Sequence, residues 1–486
     1  MTSATTGHPR GLYTLFFTEM WERFSYYGMR ALLVLFMTDA VVHGGMGMTD
    51  KVATAIYGLY TAAVYLAAFP GGWVADRFCG AQRSVWYGGI LIIFGQLMLV
   101  IPRSETFYLG LVLVVLGTGL LKPNISTIVG ELYPEGGARR DAGFTIFYMG
   151  INIGAAISPL ITSALGEKLN WRYGFAAAGL GMVIGLIQFH FTARHLGEAG
   201  RYPGHREGAR GRDKLLLLGL LSAIAMVLVL ALSGILRINP VLVARSTTYV
   251  IVALALIYFL FLFFLCDLDT TEKKRVAVIG ILFIASAMFW SGFEQAGSSL
   301  NLFAERYTQR LVGSYEIPAG WFQSLGPIFV ISLAPVMAGL WVALGRRNRN
   351  PSLPMKFALG LSLLATGFLV MALASKFVAA GKSVWPTWLI STYLIHTIGE
   401  LCVSPVGLSS VTKLAPRRLV GQMMGIWFLA TSLGNLIAGL IAGEFNAQAV
   451  HEMSGRYLQI ALTSLGTAVL VFLFIKPIRS LMRGVE

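Results

Sequence analysis

Residues 14–39 read TLFFTEMWERFSYYGMRALLVLFMTD. Length and apolar content are those of a helix that crosses a membrane, for which about 20 residues suffice. Four charges nevertheless stand inside it: Glu19, Glu22, Arg23 and Arg30. Each central charge costs about 2.5–3.5 kcal/mol on insertion, so all four require protein or water around them. Their spacing allows it. At about 100° per residue, Glu19, Glu22, Arg23, Tyr26, Tyr27 and Arg30 fall within an arc of about 140°. The opposite side is Leu, Phe, Val and Met. The stripe places this helix in a bundle around a polar cavity, and ionisable residues at such depth are expected to be functional. Plain ion pairing between neighbouring spans is the alternative.

The rest of the chain extends this reading. It has 486 residues, 56% hydrophobic and 13% charged. A water-soluble chain cannot hide that much apolar surface, so an all-α polytopic membrane protein is expected. Apolar runs separated by polar breaks give about fourteen spans: 11–40, 51–75, 84–102, 107–131, 141–165, 170–193, 214–237, 242–266, 276–304, 317–345, 354–376, 384–411, 420–443 and 456–476. With the N-terminus inside, about 24 of the 38 Lys and Arg fall in inside loops. They include Arg77, Arg83, Arg139, Arg140, Lys273–Arg275, Arg346, Arg347, Arg349, Arg417, Arg418 and Arg483. Both termini are therefore expected in the cytoplasm. The same asymmetry accounts for the net charge of +15 without nucleic acid. Cys79, Cys266 and Cys402 have no spaced partners, so neither a disulfide framework nor a metal site is indicated. The polar N-terminal segment MTSATTGHPRG shows no signal peptide.

Segment 194–213 is Gly-rich and basic, and reads as a cytoplasmic linker after a first six-span bundle, 11–193. Two further spans in 214–267 carry almost no polar groups at depth and read as lipid-facing additions. A second six-span bundle occupies 268–486.

Several motifs carry a resemblance. Glu19-x-x-Glu22-Arg23-Phe24-Ser25-Tyr26-Tyr27-Gly28 resembles the first-helix ExxERFxYYG motif of the proton-dependent oligopeptide transporter family, within the major facilitator superfamily. Gly71–Arg83, GGWVADRFCGAQR, is similar to the superfamily loop signature GxxxDRxGxR, which implies a conformational latch at Asp76 and Arg77. Phe147–Gly154, FYMGINIG, matches the family's FYxxINxG, with Ala155 where Ser is customary. The resemblance implies the major facilitator fold, two six-helix bundles plus two extra helices. Two departures stand out. Phe293 precedes Glu294 where some members have paired glutamates, and Gly326 replaces an Asn before Pro327.

Lys122 lies mid-span in GTGLLKPNISTIVGE and needs a counter-charge or water; Pro123 after it frees backbone carbonyls for a polar site. Glu294 and Glu400 are the deep carboxylates of the second half, and His396, a turn before Glu400, reads as a helix contact. Glu19, Glu22, Glu294 and Glu400 against Arg23, Arg30 and Lys122 leave one surplus negative charge. A dry setting disfavours an unpaired carboxylate, and one bound proton makes the set neutral. A zwitterionic peptide adds no net charge.

These features predict a proton-coupled symporter importing di- and tripeptides by alternating access. The coupling set is Glu19, Glu22, Arg23, Lys122 and Glu294. Arg30 and Lys122 are expected to bind the peptide carboxylate and Glu400 the amino terminus, with Tyr27, Tyr65, Asn152, Trp290, Glu294 and Trp427 lining the pocket; for Trp427, an aromatic in a membrane helix, packing alone is the alternative. Arg30–Glu294 is the expected gating pair, alongside Asp76 and Arg77. Protons are the coupling ion, no cofactor or metal is expected, and a monomer suffices. A bacterial cytoplasmic membrane is the expected location. Nitrate or another small anion is the alternative cargo, but leaves Glu400 unused. An enzyme is not expected, because no metal-ligand cluster, phosphate-binding loop or nucleophile–base pair is seen.

Overall fold

A computed structural model describes residues 7–135, 137–203, 211–445 and 450–482. Residues 1–6 of the N-terminal segment, 204–210 of the expected linker and Arg483 lie outside the described residues. The helices are α1 (Arg10–Thr38), α2 (Asp50–Val74), α3 (Ala81–Val100), α4 (Ser104–Glu131), α5 (Gly137–Lys168), α6 (Trp171–Thr192), α7 (Gly211–Leu232), α8 (Pro240–Leu265), α9 (Thr270–Phe293), α10 (Ser299–Tyr307), α11 (Leu325–Arg346), α12 (Leu353–Ala379), α13 (Thr387–Leu414), α14 (Val420–Ala442), α15 (Val450–Leu473) and α16 (Ile475–Met482). Thirteen segments among the described residues are long and apolar enough to cross a membrane. The 29-residue α1 joins them once its four charges are allowed for, making the fourteen expected spans.

Two compact units divide the chain. One comprises residues up to Leu32 with Ala63–Asn239; the other comprises Leu33–Ala62 with Pro240 onward. The division runs through α1 and α2 and separates α7 from α8, whereas the boundaries read from the sequence lay in loops.

In the first unit, Leu12 and Leu15 of α1 pack into an apolar core with Val85, Ile92, Leu121, Ile125, Ile128, Phe147, Met182 and Phe189. Small residues let the helices approach. A Cβ on Gly71 would lie 1.9 Å from the Gly119 carbonyl oxygen, and one on Gly88 would lie 2.6 Å from that of Gly117. Pro123 has no N–H to give the Gly119 carbonyl, and this is the carbonyl that α2 meets at Gly71. Asn124 Nδ2 closes the gap by donating to Leu120 O at 2.7 Å and to Gly71 O at 3.3 Å.

The linker expected over 194–213 is docked at its start. Ala193–Leu196 form a 3₁₀ turn with Leu196 buried in the core. Gln82 Nε2 donates to Ala199 O at 2.7 Å, and Gly200 N–H donates to Glu131 at 2.6 Å. One apolar side chain and two backbone contacts are enough to fix a stretch whose composition reads as loose.

The ninth span, expected to be continuous over 276–304, is broken. Asp269 and Glu272 form a capping box that starts α9, which ends at Phe293. A 3₁₀ turn, Glu294–Gly297, follows before α10. Beyond α10 lies a short hairpin, β1 (Leu311–Val312) against β2 (Tyr315–Glu316), antiparallel with Leu311 opposite Glu316.

The two added helices differ from each other. α7 has no buried residue, as expected of a lipid-facing helix. α8 does not follow that expectation. It buries Ala244, Ile251, Ala255 and Leu262, one helical stripe, and packs on α14 and α9. Tyr258 Oη donates to Gln422 Oε1 of α14 at 2.6 Å, and Arg418 Nη2 donates to the Cys266 and Asp267 carbonyls at 2.8 and 3.0 Å. Arg245 lies 3.8 Å from Glu444 at the other end. A hydrogen bond of this kind contributes about 1 kcal/mol. Tyr258→Phe should lower the thermal midpoint of the detergent-purified protein by about 1 °C. Tyr249→Phe, on the lipid-facing side of the same helix, should leave it unchanged. Equal midpoints for the two variants would detach α8 from α14.

Candidate functional site

In the first unit, the charged stripe of α1 closes on itself. Arg23 Nε lies 3.1 Å from Glu19 Oε1 and donates to Glu22 Oε2. All three residues are buried. Glu19 Oε2, Glu22 Oε1 and Arg23 Nη2 are buried with no hydrogen-bond partner. The cluster is thus paired in charge but not saturated in hydrogen bonds, an expensive arrangement unless another group visits it. Lys122 of α4 is near enough for its charge to act on Glu19. Its Nζ lies 4.2 Å from the centre of the Tyr65 ring on α2, a cation–π contact. Arg23 lies over Tyr26 and Arg30 over Tyr27 in the same manner, at 5.0 and 5.7 Å.

α5 supplies the FYxxINxG motif. Gly150 and Gly154 let α5 run against α1, since a Cβ on Gly154 would lie 2.2 Å from the Met20 carbonyl oxygen. Asn152 donates to Tyr148 O of its own helix at 3.0 Å and is buried. At the loop signature, α2 ends in a π-helical turn, Ala75–Cys79. Asp76 is exposed, and Arg77 lies 3.7 Å from Asp213 at the start of α7. Nothing in the sequence pattern singled out Asp213.

In the second unit, Glu294 occupies the break between α9 and α10 and is buried. Its charge acts on Glu400, half-buried on α13. The Trp290 Nε1 donor is buried and unpartnered, while its ring meets Phe293 edge-on at 5.4 Å. Trp427 packs edge-on to Phe357 at 6.3 Å, and its ring fills the space a side chain at Gly407 would need. That arrangement favours the packing role that the sequence left open for Trp427. His396 is also a helix contact, its Nε2 donating to Leu364 O of α12 at 3.1 Å. At Gly326 a Cβ would meet no heavy atom within 4 Å, so the missing side chain leaves open space.

This unit also closes tightly where α2 begins. Arg306 at the end of α10 grips Asp50 in a bidentate pair at 2.6 and 2.8 Å. Beyond it, a Cβ on Gly58 would lie 3.1 Å from the Gly439 Cα of α14, and Ser432 Oγ donates to Ala62 O at 3.1 Å. Neither Asp50 nor Arg306 was among the residues expected from sequence; both lie at helix ends, where charge is ordinary.

Broken and tightly packed spans with ionisable groups held at depth define a helical carrier of the major facilitator type. The chain belongs to the POT family, the proton-dependent oligopeptide transporters, which it matches over residues 82–457. It is 42% identical to the peptide transporter YePEPT of Yersinia enterocolitica, over 99% of this chain and 96% of that protein. It is 36% identical to a di-/tripeptide transporter of Lactococcus lactis subsp. cremoris, over 99% and 98%. A crystal structure of a peptide transporter POT in complex with sulfate superposes with TM-score 0.91 at 40% identity, covering 99% of this chain and 97% of that one. The protein is an integral membrane protein of a transporter family.

The α1 cluster yields a prediction that is independent of cargo. Arg23→Gln leaves two buried carboxylates unpaired, a loss of about 3–5 kcal/mol. It should sharply lower the yield of folded protein and its thermal midpoint. Adding Glu22→Gln should restore part of both. If the double variant is as unstable as the sum of the two single variants, the cluster is not a unit.

Proposed function

We propose that the protein is a proton-coupled symporter that imports di- and tripeptides across a bacterial cytoplasmic membrane by alternating access, with both termini in the cytoplasm. The observation that carries the reading is the unsaturated Glu19–Arg23–Glu22 cluster within electrostatic reach of Lys122. The named activities of the two curated relatives support the cargo. Residues 11–193 and 268–486 are the proposed moving bundles, and a monomer is the proposed working unit. No cofactor or catalytic step is invoked.

The proposed cycle uses the chain's own charges. A proton on Glu19 or Glu22 weakens their hold on Lys122. The freed ammonium, with Arg30, takes the peptide carboxylate, and Glu400 takes the amino terminus. Tyr27, Tyr65, Asn152 and Trp290 supply backbone and ring contacts; the unpartnered Trp290 donor suits a peptide carbonyl. Glu294, in the helix break, answers Arg30 in gating, and Asp76 with Arg77 latches the loop signature. Gripping ends and backbone makes recognition tolerant of side chains.

Reconstituted protein loaded with an inward proton gradient should accumulate radiolabelled dipeptide, and nitrate should not compete. Glu19→Gln or Glu22→Gln fixes the protonated state, so gradient-driven accumulation should fall to the passive level while peptide–peptide exchange persists. Wild-type accumulation in both variants would move the proton site elsewhere, with Glu294 next. Glu400→Gln should weaken free-amine peptides by about 10- to 100-fold, the loss of one charge-assisted hydrogen bond. N-acetylated peptides should be nearly unaffected. Equal weakening of both ligand types in competition would remove Glu400 from the amino-terminal role.

A further inference from the structure

The second unit holds a cavity of about 810 Å³ unconnected with the coupling residues. Its walls are the α8–α9 turn, the first turns of α9, the end of α13 and the turn into α14. The charges around it are unequally used. Asp269 Oδ1 accepts from Thr271 N–H and Glu272 N–H at 2.6 and 2.7 Å. Glu272 accepts from Asp269 N–H at 3.2 Å and lies 3.8 Å from Arg418. Arg418 is committed to the carbonyls of Cys266 and Asp267, bracing a turn in which Asp267 holds a left-handed φ of 43°. Both carboxylates of the capping box and one cation are therefore spent on structure.

Three cations remain: Arg275, Lys413 and Arg417. None makes a hydrogen bond or ion pair among the described residues, and the Arg275 Nε is buried without a partner. Lys356, buried on α12 with its ammonium over the Trp341 ring, is within electrostatic reach of Lys413. Against these stands a single uncommitted carboxylate, Asp267. The cavity has a surplus of positive charge and an orphan donor. Guanidinium forks pair with carboxylate and phosphate alike, but three cations together offer more donors than the two oxygens of one carboxylate accept, which a phosphate with more acceptor oxygens can use. The volume exceeds what a bare phosphate fills and suits a headgroup-sized ligand. The cavity also opens where four spans end, the level at which lipid headgroups lie.

We propose that this cavity binds the phosphate of an anionic phospholipid headgroup through Arg275, Lys413 and Arg417. The bound lipid then fastens the α8–α9 turn to the α13–α14 turn, which Arg418 already joins.

The test is thermal unfolding of protein purified in dodecyl maltoside at low salt. The probes are dioleoylphosphatidylglycerol, dioleoylphosphatidylcholine and inorganic phosphate. Phosphatidylglycerol should raise the wild-type midpoint by about 5 °C, and phosphatidylcholine should not. The combined variant R275Q/K413Q/R417Q should lose most of that rise, and the charge-keeping variant R275K/K413R/R417K should retain it. R346Q/R347Q/R349Q, which neutralises three cations away from the cavity, should respond like wild type. A cavity-dependent rise with inorganic phosphate as well supports the phosphate site and assigns it a diffusible source. An undiminished phosphatidylglycerol response in the cavity variant overturns the proposal. So does an equal loss in the R346Q/R347Q/R349Q control.

Discussion

Arg23 lies between two carboxylates of its own helix, and this pairing is what lets α1 lie inside a membrane protein at all. Unpaired, the three charges would cost several kcal/mol apiece in apolar surroundings. Paired, they carry one surplus negative charge, and three of their buried atoms have no hydrogen-bond partner. α1 is otherwise well buried: among its large apolar side chains only Tyr13 and Phe17 are exposed. The glycines of α5 bring a second backbone against Phe16 and Met20, next to the charged residues.

What was legible in the sequence follows from contrast. The four charges of residues 14–39 stood out because everything around them is apolar, and Lys122 did so for the same reason. The spans were legible because a bilayer imposes a minimum length. Where contrast is absent, so was the signal. The packed stripe of α8, Ala244, Ile251, Ala255 and Leu262, is apolar within a helix that is apolar all round. The break at Glu294–Gly297 has no proline, and the helix-compatible residues before it concealed the turn. Docking of the linker rests on Leu196, one apolar residue among polar neighbours. Trp427 supported two readings until Gly407, twenty positions earlier, was seen to make room for it.

Proline and glycine are used here as fittings between helices more than as breakers. Pro123 releases the Gly119 carbonyl where Gly71 brings α2 closest, and Asn124 spans the remaining distance. The helix nevertheless continues through the proline. Lys122 therefore projects from a part of α4 whose backbone is fixed against α2, the helix that also carries Tyr65. The precision of that cation–π contact derives from backbone apposition, not from side-chain packing alone.

The meeting of Gly58 with Gly439 has a consequence for reversibility. Most packed helix surfaces freeze side-chain rotamers when they join and release them when they part, at about 0.5–2 kcal/mol per long residue. Two glycine backbones have no rotamers to freeze. Contact at this point carries little side-chain entropy, although Tyr57 against Gly297 and Ser432 on the Ala62 carbonyl are seated beside it. The bidentate Asp50–Arg306 grip adds charge-assisted hydrogen bonds to the Ser432–Ala62 bond beside that surface. A joint of this kind separates a hard electrostatic fastener from a smooth bearing surface.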